Sequence, residues 1–291
     1  MAGGDRGRPA VTETLRERLE RAYARAAAQQ ESWLWRQSRL TAAATAALVE
    51  SLTLSPEARV LDVGTGTGAW AVPLAMRVPL GWVVGVDQDA QALAAACRLA
   101  AAVGLVNVEF RAADAGALPF APESFDLVAS RFFFQHQTDP LPALREMCRV
   151  ARVGGSVLAV DVDDGAALTW PEPPPAAAAV LEAYRRHEAR QGRDRQVGRK
   201  LYDIFRRGGL TQVQVAVWPL PHWGAAGEPQ AREAAGVLRE QVAASGLDAA
   251  AEGLSEDELE RGLAELERSY RREAFRLQLL FVARGTKEAS G

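Results

Sequence analysis

The chain has 291 residues, 48% of them hydrophobic and 24% charged, with a formal net charge of −3. That length suits one large α/β domain or a domain with a sizeable insertion, and that composition suits a soluble globular protein with a full core. The charge balance gives no global reason to expect nucleic acid or a membrane surface as a partner.

The opening MAGGDRGRPA is polar and glycine-rich and reads as a disordered tail over residues 1–10, without an apolar leader. Thr14 and Glu17 have the spacing of a capping box, after which Leu15, Leu19, Tyr23 and Ala26 recur at helical intervals. Trp33 and Trp35 follow, then an alanine-rich helix from about Ser38 to Leu52, which Pro56 closes. Residues 11–55 therefore form a helical cap ahead of the first strand.

Arg59 to Trp70, RVLDVGTGTGAW, is the centre of the sequence. Val60, Leu61 and Val63 make a strand, Asp62 interrupts it, and Gly64, Gly66 and Gly68 make a tight turn into a helix that runs to about Val78. The dinucleotide fingerprint reads G-x-G-x-x-G, whereas here the spacing is G-x-G-x-G with an acid two residues ahead. A strand ending in D-x-G-x-G-x-G resembles the first motif of the class I S-adenosylmethionine-dependent methyltransferases. The resemblance implies a Rossmann-like α/β fold of seven strands, the last antiparallel, with helices on both faces. It also implies that the turn, with Thr65, packs against the amino-acid part of the cofactor, near Asp62. Elements ahead of the first strand commonly lie over the cofactor and substrate mouth in that family, which makes Tyr23, Trp33 and Trp35 lid candidates; ordinary packing is the competing reading.

The second strand, WVVGVDQD, ends on Asp87, about 20 residues beyond the turn and placed to accept hydrogen bonds from two ribose hydroxyls, with Gln88 beside it. Asp89 caps the next helix, Ala90 to Val103, and Gly104 ends it. After the third strand, NVEFRAAD, Asp114 and Ala115 match the positions that meet the adenine amine and ring in the resembled family. The fourth strand, FDLVAS, runs into RFFFQHQTDP, so Ser130, Arg131, Phe132 and Gln135 are candidates for contact with cofactor or substrate. His136 titrates near neutrality and is either a general base or a helix-capping residue.

A helix from about Pro140 to Ala151, ended by Gly154-Gly155, leads to the fifth strand, SVLAVDVDDG. Asp161, Asp163 and Asp164 at its tip read as polar lining of the substrate mouth rather than a metal site. WPEPPP is a stiff linker, followed by a helix from about Ala176 to Gln191, the two together filling residues 163–196. Between Arg185 and Lys200 seven basic residues oppose two acids, which suits an anionic substrate, nucleic acid, or a solvated helix end and loop. GRDRQVGRKLYDIFRRGGL also resembles a segment of the bacterial type-11, UbiE-like small-molecule methyltransferases. TQVQVAVW is the sixth strand, residues 219–272 are a helical insertion with a second capping box at Ser255 and Glu258, and FRLQLLFVARG is the last strand. Residues 56–284 would then hold the methyltransferase domain and 285–291 a tail.

The uncharged run from Leu210 to Gly227 contains glutamines, prolines and glycines, so it cannot span a membrane. Cys97 and Cys148 sit in helical segments as free thiols, pointing to a reducing, cytoplasmic setting. The expected activity is methyl transfer from S-adenosyl-L-methionine to a small organic acceptor. Among the methyltransferases it resembles, a nucleic-acid base N-methylating enzyme is disfavoured because the fourth strand ends in SRFFFQ and lacks an Asn/Asp-Pro-Pro-aromatic sequence, whereas the arginine cluster leaves RNA or protein acceptors less firmly excluded. A nicotinamide-dependent oxidoreductase and a non-catalytic cofactor-binding regulator are the alternatives. Acceptor atom and oligomeric state are open at this stage.

Overall fold

The computed structural model describes residues 13–26, 32–224, 229–270 and 274–289. Eight strands form one mixed sheet: β1 (Arg59–Val63), β2 (Trp82–Asp87), β3 (Val108–Ala112), β4 (Phe125–Arg131), β5 (Ala151–Val162), β6 (Leu168–Trp170), β7 (Thr211–Gly224) and β8 (Ala274–Thr286). The main path runs β3-β2-β1-β4-β5-β8, with β7 on the outer edge of β8. Strands β1 to β5 are mutually parallel, and β8 lies antiparallel to both β5 and β7.

The parallel strands carry Val, Leu and Ala on both faces because helices cover both. On one face α3 (Ala42–Ser51) and α4 (Ala71–Arg77) pack over Val60, Val83, Leu127 and Leu158, and α5 (Ala90–Val103) lies against β2 and β3. The helices α1 (Leu15–Ala26) and α2 (Trp33–Leu40) add Leu19, Tyr23 and Trp35 against α5. On the other face α6 (Leu141–Val150) and α8 (Leu201–Arg207) bury Leu144, Met147, Leu201 and Phe205 against Leu61, Val63 and Val128. A separate apolar cluster joins α7 (Pro175–Arg190), α9 (Pro229–Ala244) and α10 (Glu256–Tyr270) through Val180, Tyr184, Val242 and Leu263.

Local chemistry sets the ends of these elements. The Thr14/Glu17 and Ser255/Glu258 boxes close reciprocally, each backbone N–H donating to the glutamate and each glutamate N–H to the hydroxyl. Asp89 accepts from the Gln91 and Ala92 amides, and Gly104 takes the left-handed conformation at the far end of α5.

Four expectations need correcting. The helix expected from about Ser38 to Leu52 is two helices: Ser32 caps the first, which already contains Trp33 and Trp35, and Thr41 divides it from α3. Gly154 and Gly155 do not end α6. The helix stops at Val150, Ala151 already pairs with Phe125, and the glycines lie inside β5. An eighth strand, β6, pairs with β8 just ahead of the WPEPPP stretch, through Leu168, Thr169 and Trp170. The seventh residue from the end is not tail: Gly285 and Thr286 belong to β8, and Lys287 exchanges backbone hydrogen bonds with Gly154 and Gly155. The tail at residues 1–10 lies outside the described residues.

Candidate active site

The tips of β1, β2 and β4 and the start of the loop after β3 open onto a cavity of about 470 Å³. Its wall at the centre of the sheet is the glycine turn. Gly64, Gly66 and Gly68 all have φ between 52° and 77°, a region that side chains with a Cβ rarely occupy. The Gly64 and Thr65 amides both donate to the Val86 carbonyl at 2.9 Å, fixing the turn onto β2. A Cβ on Gly64 would lie 2.5 Å from the Phe133 ring, whereas one on Gly66 would meet nothing nearer than Leu34 at 3.9 Å. Gly66 therefore presents bare backbone to the cavity.

Asp87 closes the floor. Its Oδ2 accepts from the Gly66 amide at 2.8 Å and its Oδ1 from the Asp89 amide at 3.0 Å, and each oxygen keeps a second lone pair for a ligand hydroxyl. Asp114, at the outer wall, accepts from the Gly116 amide at 2.8 Å, an Asx turn that orients its carboxylate. Gln88, Ala115, Arg131, Phe132, Gln135 and His136 complete this wall. The roof is α2, which contributes Trp33, Leu34, Gln37 and Ser38, and the Ser38 hydroxyl sits 2.9 Å from that of Thr67 in the turn.

The expected site residues thus divide into two groups. Gly64, Thr65, Gly66, Asp87, Gln88, Asp114, Ala115, Arg131, Phe132, Gln135, His136 and Trp33 lie on one cavity wall. Asp62, Gly68, Ser130, Tyr23 and Trp35 do not line it. Tyr23 and Trp35 are each 1% exposed and meet edge to face at 5.1 Å, so they are core and not lid. Gly68 packs against Ala96 of α5, with no room for a Cβ. Asp62 is wholly buried beneath the turn, where Oδ2 accepts from the Thr65 hydroxyl at 2.7 Å and Oδ1 has no hydrogen-bond partner among the described residues. Burial pushes its pKa up to about 7, against the opposing pull of Thr65. Ser130 is buried beside it, and its hydroxyl is likewise unpartnered among the described residues.

His136 stands at the exposed rim, in the 3-10 turn Phe134–His136. Crowding of the ring, then Arg195 and Arg193, lower its pKa to about 4; solvent at the rim tempers that shift, and either way the imidazole is neutral at pH 7. Arg131 donates to the Thr41 hydroxyl at 2.6 Å and stacks 4.1 Å over Phe132, and burial lowers its pKa to about 10.

A second cavity, about 260 Å³, adjoins the first. Gln37, Phe132, Gln135 and Gln241 belong to both walls. Its other walls come from α7, α9, β6 and β8, through Leu168, Leu181, Tyr184, Leu238, Leu277 and Arg276 among others. His136 is absent from this wall, so the structure does not place it against a molecule seated there. The second cavity was not foreseen; the sequence offers no signal for it beyond the uninterpreted helices around it.

The acidic tip of β5 separates into three roles. Asp161 is buried and accepts from the Phe134 and Gln135 amides, holding the 3-10 turn, and burial raises its pKa to about 7. Asp163 pairs with Arg199, and only Asp164, paired with Arg195 at 2.9 Å, reaches the second cavity. The basic stretch is neutralised partly from afar, where Arg186 and Arg190 meet Glu252, and partly by its own acids, where Arg193 meets Glu188 and Lys200 meets Asp194.

Residues 54–209 match the family described as a methyltransferase domain, just over half of the chain. The chain belongs to that methyltransferase family. It is 46% identical over 104 residues to a demethylmenaquinone methyltransferase of Roseiflexus castenholzii, covering 36% of this chain and 42% of the relative. It is 38% identical over 145 residues to a demethylmenaquinone methyltransferase of Deinococcus radiodurans, covering 49% and 55%. The chain therefore spans about half the length of the curated relatives it matches. Among solved structures, the YcgJ protein of Bacillus subtilis superposes with a TM-score of 0.57 at 22% identity, over 84% of this chain and 98% of that one. A geranyl diphosphate methyltransferase in complex with GPP and sinefungin gives 0.52 at 19% identity, over 84% and 79%. Both share the class I methyltransferase fold, which is the Rossmann-like sheet expected from the glycine turn. Among the described residues no helix is long and apolar enough to cross a membrane.

Proposed function

We propose that this methyltransferase binds S-adenosyl-L-methionine in the first cavity and transfers its methyl group to a small organic acceptor in the second. The observation that carries this reading is the shared wall: Phe132, Gln37, Gln135 and Gln241 separate a nucleoside-sized cavity that carries Asp87 and Asp114 from a smaller one lined in part by Leu168, Leu181, Leu238 and Leu277. The first cavity fits the cofactor by its own chemistry. Bare backbone at Gly66 and carboxylates at Asp87 and Asp114 suit a hydroxylated, cationic nucleoside. The curated relatives named as quinone methyltransferases support a small-molecule acceptor. Nucleic acid is not the acceptor in this reading, since the arginines of residues 185–200 are occupied by acids of the chain itself.

When bound, the cofactor supplies an electrophilic methyl on a sulfonium whose departure leaves a neutral thioether. Asp87 would hold the ribose hydroxyls, Asp114 and Ala115 would meet the adenine, and Gly64, Thr65 and Gly66 would lie along the amino-acid part. Helix α2 and the insertion helix α9, tied by Arg39 with Glu233 and Arg36 with Glu240, cover both cavities and exclude water. Holding donor and acceptor in line across the shared wall can lower the barrier by ~7–11 kcal/mol without any protein nucleophile. His136, neutral at the rim of the nucleoside side, is a wall residue in this account rather than the base.

The glycine spacing and the antiparallel β8 weigh against a nicotinamide oxidoreductase, and the second cavity weighs against a purely regulatory binder. Calorimetry with S-adenosylhomocysteine tests the cofactor assignment. Asp87→Ala removes the ribose acceptor and the Gly66 anchor together and is expected to weaken binding by roughly 10–100-fold, from about 1.5–3 kcal/mol for hydrogen bonds to a charged group. Undiminished binding by a folded variant would overturn it.

A further inference from the structure

Arg276 is an enclosed charge whose partners among the described residues are all neutral. It sits on β8 opposite Thr169 of β6, is 8% exposed, and forms part of the wall of the second cavity. Its Nη2 donates to the Ser269 carbonyl and hydroxyl, and its guanidinium lies 4.2 Å over the Tyr270 ring. These partners are neutral. Among the described residues no carboxylate comes within ion-pair distance of it.

The other two arginines of the same wall are balanced, Arg185 by Glu182 at 2.6 Å and Arg195 by Asp164 at 2.9 Å. With Asp164 the only acid on that wall among the described residues, the second cavity is positively biased at one place, Arg276. An enclosed guanidinium without a counter-charge is costly, because the desolvation of the ion is not offset by a partner. Burial accordingly holds its pKa below the usual arginine value. A guanidinium also carries five N–H donors in a fork suited to paired oxygens, and the bonds described use Nη2 alone.

We infer that the acceptor carries an oxyanionic head group, a carboxylate or phosphate, bound by Arg276, with an apolar body lying against Leu168, Leu181, Leu238 and Leu277. The inference rests on the second cavity being the acceptor site and names the class of molecule it takes. Arg276 is then a specificity-determining residue, touching the head group and remote from the transferred methyl. An uncharged analogue of the same shape leaves the guanidinium buried and unpaired, so rejection of neutral acceptors follows from the same term that binds the anion.

The test is calorimetry at pH 7.5 on the full chain, with and without S-adenosylhomocysteine, using 2-naphthoate, 2-naphthyl phosphate and the uncharged 2-naphthamide as probes. At least one of the two anions is expected to bind the wild-type protein about 10–100-fold tighter than the amide, and the tighter anion names the head group. Arg276→Gln is expected to erase that preference, and Arg276→Lys, which keeps the charge and loses the fork, to retain part of it. Should Arg276→Gln fail to fold, the wild-type discrimination and the Lys variant carry the test. Equal binding of anion and amide, binding of none of the probes, or a preference that survives Arg276→Gln would overturn the inference. Loss of S-adenosylhomocysteine binding by the wild-type protein would instead strike the cofactor assignment and leave the probe series readable by itself.

Discussion

The two cavities are assembled from different kinds of sequence. The first is made at strand tips and tight turns, where one short segment fixes both the backbone path and the chemistry: RVLDVGTGTGAW supplies strand, turn and bare backbone in twelve consecutive residues. The second is made by pieces of α2, α7, α9, β6 and β8 that lie far apart in the chain and meet only after the sheet has formed. Cofactor binding can therefore stay fixed while acceptor choice varies, because the walls of the second cavity belong mostly to elements the turn does not constrain.

The helix α2 belongs to both regions, and substitutions in it sharpen the contrast most. Trp35→Ala empties a core position that is 1% exposed and packs on Tyr23, and is expected to destabilise the fold by ~3–5 kcal/mol in urea unfolding. Trp33→Ala, two residues away on the cavity wall, is expected to cost under about 1.5 kcal/mol of stability while weakening S-adenosylhomocysteine binding in calorimetry. Equal stability losses in the two variants would blur the division between core and wall.

A smaller effect separates the buried layer beneath the glycine turn from the cavity wall. Asp62 has a folded-state pKa near 7, above its value in the unfolded chain, so the folded protein holds the extra proton between about pH 4 and pH 7. Stability of the unliganded protein should consequently fall as pH rises through that window and level off above it. Asp62→Asn is expected to flatten the fall in melting temperature between pH 5 and pH 8 only in part, because Asp161 is raised to about 7 by its own burial. A variant with the full wild-type slope would show that Asp62 is ionised in the folded protein throughout.

What could be read in the sequence follows the same division. The places of the central strands along the chain, the caps of α5 and the wall positions Asp87 and Asp114 each depend on local signals a few residues long. Those signals failed where distant partners decide. β7 continues through Pro219 and Pro221, which read as strand breakers, because it pairs only with β8 and its outer edge has no ladder for a missing N–H to interrupt. Three residues of β6 are too few for a periodic pattern and exist as a strand only because β8 extends past β5. The arginines of residues 185–200 looked like a surface excess because Glu252, Asp163 and Asp164, which neutralise four of them, lie 31 or more residues away. Asp62 has the motif's position but not a place on the wall, since an alternating strand points it under the turn rather than into the cavity.

A crystal structure of the protein with S-adenosylhomocysteine bound tests the central claim most directly. The account predicts the adenine amine at Asp114, the ribose hydroxyls at Asp87, and the sulfur at the wall formed by Phe132 and Gln37, facing the second cavity. A nucleoside bound outside the first cavity, or a sulfur turned away from that shared wall, would contradict it.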